Sequence, residues 1–91
     1  MTIFEIKCYP GTKSETVLTI RIGTMTEIAP NDRNYFAPDL VYGYDIEANP
    51  GHGIAHHGFK DRFDAQAAAL LRAAQYGNGG FPLDSVYRRV R

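Results

Sequence analysis

The stretch Val41–Gly77, VYGYDIEANPGHGIAHHGFKDRFDAQAAALLRAAQYG, reads as strand, tight turn, strand and capped helix. Leu40–Ala48 alternates with a period of two. Tyr42, Tyr44, Ile46 and Ala48 share one face; Val41, Gly43, Asp45 and Glu47 share the other. Asn49, Pro50 and Gly51 are turn formers, and Gly53–Gly58 reads as a short fourth strand. Asp61 is placed to accept from the free N–H groups of a first helical turn, and Asp64 favours the same dipole end. Phe63, Ala67, Leu70, Leu71 and Ala74 then form an apolar stripe at helical spacing, and Gly77 is a left-handed stop. The many alanines predict a helix lying close against a sheet.

Working outward, Thr2–Tyr9 alternates, with Phe4, Ile6 and Cys8 on one face and Glu5 and Lys7 on the other. Pro10 and Gly11 end that run. Thr16–Thr24 is a β-branched strand with Leu18, Ile20 and Ile22 on its apolar face, and Ile28 is a candidate extension of it. The two runs predict an antiparallel hairpin. Residues 29–38 are bracketed by prolines and rich in turn formers, so they read as a loop, one that carries Tyr35 and Phe36. At the C-terminus Val86, Arg88 and Val90 alternate against Tyr87, Arg89 and Arg91, as an edge strand or a basic tail, the strand being favoured. The expected fold class is α+β. Residues 1–91 form one domain, an antiparallel sheet of about four strands with one helix packed on a face, plus that short C-terminal strand. Phe4, Ile6, Leu18, Ile20 and Ile22 are expected to meet Leu70 and Leu71 in the core.

Composition narrows the function classes. Ten basic and ten acidic residues give a formal charge of zero, against the strong basicity usual in a general nucleic-acid binder. The single cysteine, Cys8, forms no intramolecular disulfide. No apolar run approaches the roughly 20 residues that span a bilayer. A cytoplasmic location is expected, with no membrane partner.

Few residues are arranged for chemistry. His52, His56 and His57 are potential metal ligands by type. On a strand, however, His56 and His57 point to opposite faces, and His52 and His56 lie ~13 Å apart at ~3.3 Å per residue. They read better as a polar, partner-facing hairpin than as a metal site. GHG and GNGG match no phosphate-binding loop, and no cofactor is expected. Cys8 sits on an apolar strand face, where a thiol is inert core; Asp45 and Glu47 read as solvated carboxylates, not a catalytic pair. An enzyme is therefore not expected. The stronger leads are contact residues. Tyr35 and Phe36, flanked by Asp32 and Asp39, make an aromatic patch with an acidic rim, and such rings dominate binding hot spots. Tyr42 and Tyr44 are equally well placed under the helix. Arg88, Arg89 and Arg91 make a local positive cluster, since residues 61–91 carry five basic and three acidic groups.

The segment GYDIEANPGHGIAHHGFKDRFDAQAAALLRAA resembles a pattern found in small phage and mobile-element proteins. An aromatic strand, a turn, a short strand, a capping residue and an alanine-rich helix succeed one another, here at Tyr44, Gly51, Gly58, Phe59, Asp61 and Ala65. Several anti-CRISPR inhibitors look like this. The resemblance implies a small non-catalytic protein in the host cytosol that blocks a CRISPR-Cas effector by steric occlusion. It assigns no residue a role. The double-stranded-RNA-binding domain has a related core, but Asp61, Arg62 and Asp64 stand where that family carries lysines. The expected function is thus a protein-binding inhibitor with contacts drawn from Asp32, Tyr35, Phe36, Asp39, His52, His56, His57, Arg88, Arg89 and Arg91. The alternative is a nucleic-acid-binding accessory module that uses the C-terminal arginines.

Overall fold

The structure, a computed structural model, describes residues 1–28, 40–51, 53, 58–75 and 86–91. The side chains of residues 86 and 87 fall outside that description. Four strands form one antiparallel sheet: β1 (Thr2–Cys8), β2 (Thr16–Thr24), β3 (Tyr42–Asn49) and β4 (Val86–Arg89), in the order β3-β2-β1-β4. Among the described residues two helices accompany it, α1 (Met25–Ile28) and α2 (Arg62–Gln75). The α+β architecture expected from the sequence is present. The fourth strand of the sheet is the C-terminal one. Of the Gly53–Gly58 run expected as a strand, residues 54–57 lie outside the described residues. Phe59, just past that run, pairs with β3 through one bridge, in which Tyr42 and Phe59 exchange N–H···O bonds of 3.0 and 2.8 Å.

Register puts the bulky residues in rows. Directly opposed residues on antiparallel strands share a face. Ile46, Ile20 and Phe4 are aligned across β3, β2 and β1, as are Ala48, Leu18 and Ile6. All six are buried, and α2 lies over the β2 and β3 side of this face. Tyr44 joins the same core, with its ring 5.9 Å from that of Phe59. Tyr42 is half-buried against it. The two strand tyrosines are therefore packing residues.

The face α2 buries is not the expected stripe. Ala65, Ala69 and Ala73, spaced four apart, are its buried residues, with Ala68 and Leu70 partly buried beside them. Leu71 is 62% exposed and Phe63 is 78% exposed; Ala67 is exposed too. At about 100° per residue, Leu71 falls about 160° from Ala69 and Phe63 about 120° from it. The largest fully buried side chains are isoleucines on the sheet, and the helix contributes methyl groups to the same cluster. Asp61 caps α2 as expected, accepting from the Phe63 N–H at 2.7 Å.

Ile28 does not extend β2. The chain turns into α1 at Met25, because Thr24 and Glu27 form a capping box. The Glu27 N–H donates to Thr24 Oγ1 at 3.2 Å, and the Thr24 N–H donates back to Glu27 Oε1 at 3.0 Å. Gly23 lies beneath it; a Cβ there would stand 2.9 Å from Glu27 Oε1 and push that carboxylate aside. The Met1 ammonium lies 3.4 Å from Glu27 Oε2.

The hydrogen bonds from the Thr24 N–H and hydroxyl, helped by the Met1 ammonium, hold the Glu27 carboxyl below its ordinary pKa. A carboxyl whose pKa is lowered by folding stabilises the fold above its unfolded value. That contribution is lost as pH falls through the folded value. The stability advantage of the parent over Glu27→Gln is therefore expected to shrink as pH falls below about 5. Urea unfolding at a series of pH values reads this directly. A gap that stays constant across the series rules out the Glu27 charge as its source.

Candidate functional site

Alternation along β4 splits the C-terminal arginines. Arg88 is opposite Glu5 and Arg89 is opposite Phe4, so the two lie on different faces of the sheet. Arg88 is on the face that α2 leaves open, where its Nη2 bonds Glu5 Oε1 at 3.2 Å. Arg89 is on the helix side, with its Nε donating to the Arg91 carbonyl at 3.2 Å. Arg91 is exposed, and its backbone bonds Ile3. All three arginines are surface residues, but they are not one continuous positive patch.

The open face is polar and mixed in sign. Arg21 grips Asp45 across the β2–β3 pair with two hydrogen bonds, Nε to Oδ1 at 2.8 Å and Nη2 to Oδ2. The hydrogen bond to Asp45 raises the Arg21 pKa, so this charge is fixed. Glu47 stands exposed two residues on from Asp45. Asp45 is therefore a member of a structural ion pair rather than the solvated carboxylate expected from the sequence. The described strand residues on this face include no aromatic ring. Those described strand residues thus offer no stacking platform of the kind on which sheet-based readers of single strands depend.

The helix side is different. At the Phe4–Arg89 end, α2 stands over β2 and β3 and a groove opens beside it, with a volume of about 290 Å³. Thr2, Phe4, Arg62, Phe63, Gln66 and Arg89 line it. Two guanidinium groups face it from separate elements, one from α2 and one from β4, and among the described residues no carboxylate lines it. Arg62 makes no ion pair among the described residues. Thr2 is 3% exposed, and its hydroxyl makes no hydrogen bond among the described residues. A buried hydroxyl without a partner is unusual in a folded protein. Phe63 is held at the mouth by the Asp61 cap, with most of its ring in solvent. An exposed phenylalanine beside two arginines has the composition of a binding hot spot.

Of the candidates from sequence, the structure places Arg89 at this groove, Arg88 on the opposite face, and Arg91 between strand end and solvent. Asp32, Tyr35, Phe36, Asp39, His52, His56 and His57 lie outside the described residues. Among the described residues no cluster of histidine, cysteine or carboxylate side chains has metal-binding spacing. Cys8 is a buried free thiol on the core face, as its alternation implied. Among the described residues no helix is long and apolar enough to cross a membrane. Thr2, Arg62, Phe63 and Gln66 were not legible as site residues. The nearest signal was a phenylalanine directly after an Asp-Arg helix start, which counts equally as core. No family model, no curated protein and no solved structure matches the chain.

Proposed function

We propose that this chain is a non-catalytic binding protein that works by covering a surface of a partner protein. The observation that carries this reading is Phe63, 78% exposed at a groove flanked by Arg62 and Arg89. Leaving a phenyl ring in water forgoes about 1.5–3 kcal/mol of burial. Folding does not explain that position, and a partner that buries the ring does. The resemblance to anti-CRISPR inhibitors makes a CRISPR-Cas effector the first partner to test, with inhibition by occlusion. The alternative, a nucleic-acid accessory module, draws on the exposure of Arg88, Arg89 and Arg91. It is the weaker reading because Arg88 is paired to Glu5 on the face away from Arg89.

Phe63→Ala should leave melting unchanged and weaken capture of the effector by about thirtyfold, the size of a hot-spot truncation. Affinity of the purified chain for effector complexes, measured for parent and variant, checks it. A variant that inhibits as well as the parent removes the groove from the contact surface.

A further inference from the structure

We infer that the groove between the start of α2 and the β1–β4 edge takes an acidic segment of a partner protein, its carboxylates on Arg62 and Arg89 and an apolar side chain on Phe63. This rests on the binding-protein reading and names the chemistry of the occupant. The argument is charge complementarity with unmet hydrogen-bonding demand. In a chain with no net charge, this groove gathers two guanidinium groups, one amide side chain at Gln66 and one hydroxyl at Thr2, with no acid among its described lining residues. The bond from Arg89 Nε to Arg91 fixes the guanidinium plane and leaves its Nη groups to donate. The buried Thr2 hydroxyl has a proton to give and no described acceptor. A carboxylate offers two acceptor oxygens and accepts from a guanidinium in bidentate fashion. Phe63 adds an apolar contact beside that charge, so the complement is a carboxylate next to an apolar side chain.

A phosphate chain fits less well. The positive zone is short: Asp61 and Asp64 bracket Arg62 and Phe63 in sequence, both exposed. A strand of several nucleotides leaving the groove past the start of α2 meets these like charges. An acidic peptide needs only one or two anionic contacts and then continues as neutral chain.

The test uses the full chain labelled with ¹⁵N and three probes: a Gly-Glu-Leu-Glu-Gly peptide blocked at both ends, the same peptide with lysine for glutamate, and a short oligothymidylate. The acidic peptide is expected to move the Arg62, Phe63, Gln66 and Arg89 signals progressively. Arg62→Gln and Arg89→Gln, both exposed and so expected to keep the parent spectrum, should each weaken that binding about tenfold. Added salt should weaken it further. Equal shifts with the lysine peptide overturn the charge assignment. Tighter binding of the oligonucleotide at the same residues overturns the protein segment in favour of phosphate. Absence of shifts with the acidic peptide at millimolar concentration overturns the acidic occupant outright. The binding-protein reading is judged separately, by Phe63→Ala against the effector.

Discussion

Ala69→Glu is expected to abolish folding, while Leu71→Glu two residues away leaves the melting temperature nearly unchanged. Ala69 is fully buried where α2 lies over the sheet, and Leu71 is 62% exposed on the other side of the helix. A carboxylate at position 69 enters the buried cluster that holds Ile20, Ile22 and Ile46, which has no cation among its described members. An unpaired buried charge costs at least several kcal/mol. Total stability for a domain of this length is about 5–14 kcal/mol, so that cost takes most of it. Ala69→Leu separates charge from size: overpacking alone costs about 1–3 kcal/mol and should lower melting without preventing folding. Circular dichroism melts of the three variants decide it. If Ala69→Glu melts with the parent, or Leu71→Glu unfolds, the alanine face of α2 is not the one that meets the sheet.

That pair of residues shows why the helix was easy to find and its face was not. Alanines occur on several sides of α2, so apolar periodicity was ambiguous, and the large residues Phe63, Leu70 and Leu71 drew the stripe toward themselves. Only Leu70 reaches the core, and partly. Facing surfaces share volume: once Ile20, Ile22 and Ile46 fill the gap from the sheet, the helix contributes methyl groups. The strands were more legible because a period of two leaves one choice of face. β2 spans Thr16–Thr24 as its alternation implied, and the Asp61 cap stands where it was expected. α1 was signalled by the Thr24 and Glu27 spacing, which an apolar reading of Ile28 overrode. The groove could not be read locally. Thr2, Arg62, Phe63 and Arg89 come from the beginning, middle and end of the chain, and only the β1–β4 pairing brings Arg89 beside Phe4.

Ile20→Ala should be the most damaging simple truncation in the sheet. Ile20 has no exposed surface and holds an inner position in the row that runs Ile46, Ile20, Phe4, Arg89 across all four strands. Deleting three of its carbons loses their burial and leaves a hole that neighbours on both sides must close. Such changes cost about 2–5 kcal/mol. At roughly 4–8 °C per kcal/mol for a domain of this size, a cost of about 3 kcal/mol lowers melting by roughly 12–24 °C. Thr19→Ala, next along β2 on the open face, is expected to stay within about 1 kcal/mol of the parent. A small difference between the two variants would mean that the helix side is not the buried side. Phe4, between Ile20 and Arg89, is both a core neighbour and a wall of the groove. Ile20→Val, which costs only about 0.5–1.5 kcal/mol, keeps the fold while loosening that wall. It should weaken partner capture less than Phe63→Ala does, because Phe63 meets the partner directly and Ile20 acts only through Phe4.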